Sequence, residues 1–262
     1  MIKYKHLAKF RVPKRFVIVA MVFFGYGNIF YLHTNLAMAV VEMTSSKNYS
    51  DTNGNVVHIE PEFKWNSKEK GLVLSTFSYG RLLGPVGGVL AGRIGGATLF
   101  GIAIMVTALV TLMTPYLLYN SFSLFVITNV ILGVFEAFQY ASISQLWSRW
   151  APPDERSKFV SFSVIGLYVG NIIAFLIAGW MLNTWAWPWL FYVSGAATLG
   201  WYGIWVLVVS NDPAEDKHIS AEERAYIKEN LNSVSANEKA SCLHIFPYTY
   251  DSVFQLFEVL NN

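Results

Sequence analysis

Three ionisable side chains lie within stretches of sequence that are otherwise almost entirely apolar: His33, Arg81 and Glu136. Glu136 could bind and release a proton from a low-dielectric cavity, or form a structural ion pair. Arg81 could bind an anion, pair with Glu136 or extend to an aqueous surface. A histidine titrates near neutrality when unperturbed, so His33 is either a pH-sensitive ligand or a neutral, packed histidine. These three residues are the first candidates for a functional site.

Two long runs without Asp, Glu, Lys or Arg must position these side chains. The runs cover residues 94–135 and 159–211. Each is about twice the roughly 20 residues that an α-helix needs to cross a hydrocarbon core of about 30 Å, and each is interrupted once by turn-forming residues. The sequence therefore predicts a membrane protein with several spans. A charge inside such a span costs about 2.5–3.5 kcal/mol, which makes intramembrane ionisable residues functional candidates.

The hydrophobic pattern predicts an all-α membrane protein with six transmembrane helices. A basic N-terminal segment, residues 1–15, precedes the spans, the membrane region covers residues 16–211, and a polar segment with a tail covers 212–262. The spans are expected at about 16–43, 70–92, 97–118, 122–149, 156–182 and 187–209.

Composition supports the membrane assignment and excludes several classes of function. Apolar residues make up 54% of the chain and charged residues 14%, and the mean hydropathy is +0.39; soluble domains carry about 25% charged residues. The basic residues form no stripe for binding nucleic acid. The single Cys242 excludes an intrachain disulfide and a cysteine-rich metal site. No enzyme site, metal site or cofactor is expected; the partners are the lipid bilayer and a small solute.

Positive charge predicts the orientation of the chain. Basic residues are concentrated before the first span, between spans two and three, and between spans four and five, whereas the loops between spans three and four and between five and six carry no charge. The positive-inside rule then makes both termini cytoplasmic and the 44–69 loop extracellular or lumenal. Asn48 begins the glycosylation sequon Asn-Tyr-Ser in that loop. The pattern leaves open whether the membrane is the plasma membrane or that of an organelle.

Several segments together resemble one branch of a transporter family. In chain order they begin with Asn35-Leu-Ala-Met-Ala-Val-Val-Glu-Met43, Gly87-Gly-Val-Leu-Ala-Gly-Arg-Ile-Gly-Gly96 and Trp147-Ser-Arg-Trp-Ala-Pro-Pro-Asp-Glu-Arg-Ser-Lys158. Phe191-Tyr-Val-Ser-Gly195 and the pattern around Ile219-Ser220 follow. The chain resembles the anion/cation symporter branch of the major facilitator superfamily, which includes sialic acid, vesicular glutamate and sodium-phosphate transporter relatives. The resemblance implies one six-helix half of a major-facilitator fold.

The resemblance also implies which residues carry out transport. It suggests symport of a small organic or inorganic anion with a co-transported H⁺ or Na⁺, and gives Glu136 a coupling role. With Glu136, the candidates for transport and coupling are His33, Arg81, Asn35 and Asn129; Arg81 has no equivalent in the family and is a candidate from its own charge within an apolar stretch. The residues implied for a cytoplasmic gating motif are Gly88, Arg93, Gly95, Glu155 and Arg156.

Three positions depart from the pattern of that family. Gly92 stands where an Asp usually precedes the arginine of the gating motif, which should weaken a salt-bridged latch. His33 and Asn129 stand where the family commonly has arginines. Guanidinium groups bind carboxylates and phosphates bidentately, so their loss should weaken binding of an organic anion or change the substrate.

The resemblance covers only the first half of the family's twelve-helix architecture, and three explanations stay open. They are a truncated gene model or splice form, a half that assembles with a C-terminal half, and a non-transporting remnant. Two functions follow: a secondary active transporter, or a non-transporting membrane protein that interacts with or regulates a full-length relative.

Overall fold

A computed structural model describes residues 12–50 and 56–238 and shows a bundle of helices with one short hairpin. Residues 1–11 of the predicted basic N-terminus and residues 239–262 of the predicted tail lie outside the described residues. The helices are α1 (Lys14–Thr44), α2 (Ser67–Arg81), α3 (Gly84–Ile94), α4 (Gly96–Asn120), α5 (Phe122–Trp150), α6 (Pro153–Thr184), α7 (Pro188–Val208) and α8 (Ala221–Glu238).

Five of these helices, α1 and α4 to α7, are long and apolar enough to cross a membrane. Two of them begin with proline, at Pro153 in α6 and Pro188 in α7. Proline suits the first turn because its missing N–H would have no partner there, and its fixed φ is already helical. A proline therefore favours the start of each of these two helices.

The stretch expected to form the second span contains two helices instead of one. Asn66 caps α2 by accepting a hydrogen bond from the Glu69 N–H, and the Glu69 carboxylate accepts one from the Asn66 N–H. After Arg81 the chain makes a tight turn, and α3 begins with Gly84 and Pro85. Pro85 cannot donate to the carbonyl of Arg81 and would clash with it in a continuous helix. Of the described helices, neither α2 nor α3 is among the five that are long and apolar enough to cross a membrane, so the sixth span and the domain boundaries stay predictions.

A β-hairpin follows α1 in the 44–69 loop and was not anticipated by the all-helical prediction. Strand β1 (Lys47–Ser50) pairs antiparallel with β2 (Val56–Ile59), and Lys47 lies opposite Ile59. Asn48 of the sequon lies in β1 opposite His58. Its glycosylation stays a prediction.

Two helix pairs approach each other so closely that only glycine fits between them. A Cβ at Gly170 on α6 would meet the backbone of Gly27 on α1. A Cβ at Gly133 on α5 would meet the backbone of Phe77 on α2, and one at Gly80 would meet α5. Small residues at helix interfaces let the backbones approach and gain van der Waals contact, which drives association of helices in lipid. These two pairs, α1 with α6 and α2 with α5, form the frame of the bundle.

One end of the bundle is held together by charged groups. The first backbone N–H groups of a helix have no partner within the helix. Here those of Lys14 and Arg15 donate to the Glu223 carboxylate at 2.8 and 3.0 Å. Arg15 also lies 3.3 Å from Glu155, and Lys14 lies 3.4 Å from Asp216. The polar segment after α7 is thereby fastened to the beginning of α1.

The opposite end is held by one carboxylate in the loop after the hairpin. Glu62 accepts a hydrogen bond from the Tyr119 hydroxyl and another from the Trp187 ring N–H, each at 2.6 Å. Phe63 packs against the rings of both partners, with centroids 5.9 and 6.3 Å away. The loop therefore joins the end of α4 to the beginning of α7.

Gly170→Ala tests the close contact between α1 and α6. The added methyl group would collide with the backbone of Gly27, so we expect a loss of about 1–3 kcal/mol of stability, as for other overpacked sites. The measurement is thermal unfolding of the purified protein in detergent micelles. Gly179→Ala on the same helix is the matched control, because nothing lies within 4 Å of that position; equal losses in both variants would contradict the assignment.

Asp216 gives the charged end a predictable dependence on pH. Burial opposes the charged form, but the backbone N–H of His218, the Ser210 hydroxyl and Lys14 outweigh burial, so the pKa of the Asp216 carboxyl lies below its usual value of 3.8. A lowered pKa stabilises the fold above 3.8, and this contribution is lost as the pH falls through the native pKa. Asp216→Asn should therefore unfold at a lower temperature than wild type at neutral pH, and the gap should narrow below about pH 4. A gap that stays constant down to about pH 3 would contradict this role.

Candidate functional site

The candidate site lies where α1, α2, α4 and α5 meet, and its centre is an ion pair. Arg81, the last residue of α2, places Nη2 2.6 Å from Oε1 of Glu136 on α5. The Glu136 side chain is 3% exposed, whereas that of Arg81 is 42% exposed. The carboxylate is thus buried among helices, and its cationic partner remains reachable from outside.

The glycine contact between α2 and α5 explains why these two charges meet. Gly80 directly precedes Arg81, and Gly133 precedes Glu136 by less than one helical turn. Because both glycines lie at the point where the two backbones touch, the side chains that follow them are brought to the same interface. The scaffold therefore fixes the separation of the pair.

Two aromatic residues complete the surroundings of the pair and were not singled out from the sequence. The Arg81 guanidinium lies over the Phe77 ring, 4.8 Å from its centroid, a cation–π contact. The Tyr140 hydroxyl donates to Glu136 Oε1 at 3.4 Å. Both residues are four positions from their partners, a spacing that places side chains on one helix face. That spacing could have identified them in advance.

His33 on α1 reaches the same region. Its ring meets the Phe77 ring edge-on with centroids 4.5 Å apart, and it lines a cavity of about 20 Å³ together with Glu136. The remaining residues of that cavity come from α1, α2, α4 and α5: Ile29, Leu32, Leu36, Phe77, Thr107, Thr111, Leu132 and Gln139. The structure thus brings together three of the predicted site residues, His33, Arg81 and Glu136.

The other two predicted site residues, Asn35 and Asn129, do not line this cavity. Both are completely buried. The Asn35 amide donates to the carbonyl of Leu190 at 3.5 Å, and the Asn129 amide donates to that of Phe125 at 3.0 Å. Their described contacts are therefore with backbone carbonyls, and their part in transport stays a prediction.

The glycines and the arginine of the predicted gating motif have different surroundings from one another. A Cβ at Gly87 would meet Phe138 on α5, whereas nothing lies within 4 Å of that position at Gly88. Arg93 is exposed, and no ion pair connects it to another described residue. Gly95 has φ +94 and lies against Asn211, so both conformation and space exclude a side chain there.

The acidic and basic residues of the same motif lie at the start of α6. Glu155 pairs with Arg15 at the beginning of α1. The Nε of Arg156 is buried and has no hydrogen-bond partner among the described residues. The motif therefore contributes one ion pair within this half of the fold, and its gating role stays a prediction.

Five helices that are long and apolar enough to cross a membrane, packed around a buried charge pair, define a multi-pass membrane protein. Over residues 16–257 the chain matches the Major Facilitator Superfamily. The chain belongs to this family.

Similar proteins support the same assignment. Vesicular glutamate transporter 3 of Danio rerio is 32% identical over 235 residues, covering 88% of this chain and 40% of that protein. Human Sialin is 29% identical, with 86% and 49% covered. The crystal structure of a bacterial homologue of the human lysosomal transporter Spinster, inward-facing and unoccupied, superposes with a TM-score of 0.61 at 17% identity, over 86% of this chain and 50% of the other.

These findings confirm the resemblance to the anion/cation symporter branch and the prediction of half a major-facilitator fold. They also agree with the expectation that the chain belongs to a family of membrane transporters and not to a family of enzymes. The chain spans about 40–49% of the length of the two relatives described.

A double-variant comparison tests whether Arg81 neutralises Glu136. Arg81→Leu leaves a buried carboxylate unpaired, and we expect a loss of about 1–3 kcal/mol, less than the roughly 3–5 kcal/mol of a fully buried pair because Arg81 is partly exposed. Adding Glu136→Leu should recover most of this loss, since no uncompensated charge remains. Thermal unfolding in detergent is the measurement, with Arg93→Leu as the control for removing an exposed arginine. A double variant no more stable than Arg81→Leu would refute the pairing.

Proposed function

We propose that this protein is part of a secondary active transporter that moves a small anion across the membrane together with H⁺ or Na⁺. The support comes from membership of the family, from relatives named as vesicular glutamate transporters, and from the chemistry of the Arg81–Glu136 pair. In transporters built from repeated halves, the binding site lies near the middle of the bilayer between the halves. Glu136 lies midway along α5, and its partner Arg81 lies at the junction of α2 and α3.

The buried, ion-paired carboxylate of Glu136 is the observation that carries the proposal. While Glu136 is ionised, it occupies Arg81. When Glu136 takes up a proton, the attraction is lost and the guanidinium becomes available to a carboxylate or phosphate, which it binds through paired N–H donors. Anion and proton are then bound together, because each occupies one member of the former pair. Such mutual dependence is the thermodynamic requirement for symport.

Arg81 also offers a substitute for the arginines that the family commonly has at positions 33 and 129. Arg81 lies at the junction of α2 and α3 beside the buried Glu136, and its side chain is 42% exposed. His33 lies on the neighbouring wall. We propose that Arg81 is the anion ligand of this half.

We also propose that the charged end of the bundle faces the cytoplasm. The contacts of Arg15 and Arg149 with acidic residues place the starts of α1 and α6, the end of α5 and the segment after α7 at one end. The hairpin lies at the other end. The positive-inside rule then gives cytoplasmic termini and an extracellular or lumenal 44–69 loop, where Asn48 is a candidate for glycosylation.

Glu136→Gln tests the coupling role. The amide resembles a permanently protonated carboxyl, so Arg81 should remain free to bind anion while proton release is abolished. We expect gradient-driven uptake to fall at least about tenfold, while exchange of internal for external anion persists. The measurement is uptake of radiolabelled L-glutamate and inorganic phosphate into proteoliposomes under an imposed H⁺ or Na⁺ gradient.

Glu229→Gln, which changes an exposed carboxylate on α8, is the matched control and should transport like wild type. Uptake by Glu136→Gln that follows the gradient as in wild type would exclude Glu136 as the coupling group. Failure of the wild-type protein to transport any probe anion under either gradient would count against the proposed function as a whole.

A further inference from the structure

The cavity beside Glu136 contains polar atoms that the transport proposal does not use. Oε2 of Glu136 and Oε1 of Gln139 are buried, and neither has a hydrogen-bond partner among the described residues; the same is true of Nδ1 of His33. All three residues line the same cavity. Gln139 is 1% exposed and Glu136 2% exposed. A buried polar atom without a partner destabilises a fold, so three around one cavity require an explanation.

The volume of the cavity limits what can satisfy these atoms. The cavity volume is about 20 Å³, and a cavity needs about 10–15 Å³ to hold one water molecule. A carboxylate- or phosphate-bearing solute is several times larger. The occupant is therefore of the size of a single water molecule or a bare ion.

The charge and the hydrogen-bonding pattern favour water over a cation. The site is already neutral, because Arg81 compensates Glu136, and a further positive charge would have to be buried beside a guanidinium. Two of the unpartnered atoms, Glu136 Oε2 and Gln139 Oε1, are acceptors, and the third can donate when the neutral imidazole carries its proton on Nδ1. Water donates two hydrogen bonds and accepts one here, which matches this set.

The orientation of the Gln139 amide is fixed by a neighbour on α4. Its Nε2 donates to Oγ1 of Thr107 at 3.0 Å, and the Thr107 hydroxyl in turn donates to the carbonyl of Ala103 at 2.7 Å. This chain leaves the amide oxygen of Gln139 as the acceptor that lines the cavity. Thr107 thus holds Gln139 in the orientation that a bridging water requires.

We propose that one ordered water molecule bridges His33, Gln139 and Glu136, and that Gln139 is the positioning residue that holds it for proton transfer to Glu136. The transfer step rests on the proposed function. When the neutral His33 imidazole takes up a solvent proton on Nε2, its Nδ1 proton passes in the same step to the water, and the water passes a proton to Oε2 of Glu136. The solvent proton and the carboxylate become a carboxylic acid, the imidazole ends neutral with its proton on Nε2, the water is regenerated, and Arg81 is released.

The titratable groups that face Glu136 come from its own helix, α5, and from two helices packed against it, α1 and α2. They are Arg81 from α2, His33 from α1 and Tyr140 from α5; α4 contributes hydroxyl groups among its described residues. Of these, His33 lines the cavity, and its Nδ1 has no hydrogen-bond partner among the described residues. A neutral imidazole can accept a proton on one nitrogen and donate from the other, so His33 relays the proton in the proposed step.

Infrared difference spectroscopy of the whole chain in lipid nanodiscs tests the water without requiring transport. Lowering the pH should produce a protonated-carboxyl band that Glu136→Gln abolishes, together with a water stretching band that shifts in H₂¹⁸O. These measurements need no change to Gln139. Absence of an isotope-sensitive water band coupled to the Glu136 band in the wild-type protein would overturn the proposal.

Gln139→Met tests the positioning role, because methionine is similar in length and has no amide. We expect the water band to disappear and the replacement of hydrogen by deuterium on the Glu136 carboxyl to slow about tenfold, the factor that corresponds to losing one typical hydrogen bond. Ser142→Ala is the matched control on α5, because the Ser142 hydroxyl donates to the Phe138 carbonyl of its own helix and does not line the cavity.

Unchanged exchange in Gln139→Met, or equal slowing in Ser142→Ala, would overturn the role of Gln139. Failure of the proposed function has a different signature: proteoliposomes would not take up anion, yet the water band and its dependence on Gln139 would persist. The spectra therefore decide the water site, and the uptake measurements decide the transport function.

Discussion

The contact of backbones at Gly80 and Gly133 is the constraint on which the rest of the site depends. Apolar side chains gain little by leaving lipid for another helix, so helices in a bilayer are held by close packing and polar pairs. Here one contact supplies both, because the glycines that let α2 and α5 touch stand next to Arg81 and within a turn of Glu136. A larger residue at either glycine would separate the helices and the charges together. The same contact between α2 and α5 therefore packs the two helices and neutralises the buried carboxylate of Glu136.

The overall fold could be predicted from the sequence because its evidence is local. A long run without charged residues can be recognised without any knowledge of packing. The same holds for the short polar segment around Pro152 and for the ionisable residues that interrupt the spans. The pairing of Arg81 with Glu136 could be stated only as an alternative, since it depends on which faces of two helices meet. Asn35 and Asn129 show the same limit: their polarity marked them, but only the packing reveals that their amides donate to backbone carbonyls. Hydropathy identifies the membrane spans, whereas the rotation of each helix about its axis determines which side chains meet in a site.

The structure differs from the sequence prediction in two places, the 70–92 stretch and the 44–69 loop, where a local feature did not change the average hydropathy or charge of the segment. The 70–92 stretch is apolar throughout most of its length, so its mean hydropathy predicts one helix, yet Pro85 divides it into α2 and α3. The hairpin of residues 47–59 lies in a segment read mainly for charge and for its sequon, where β-branched residues such as Val56 and Val57 favour strands. At the α3 interface, Gly87 packs against α5 and Gly88 does not, because a shift of one residue turns a helix by about 100°.

The hydrogen bonds that complete the start of α1 also set an order of events during synthesis. Its first amides find their acceptor in Glu223, 209 residues further along the chain. At about 5–20 residues per second, the first span waits roughly 10–40 s between leaving the ribosome and receiving this cap. During that time the α1 terminus carries free N–H groups, and the remaining spans are inserted beside it. The hydrogen bonds from the start of α1 to Glu223 therefore form only after the whole membrane region has been translated, because Glu223 follows every span described here.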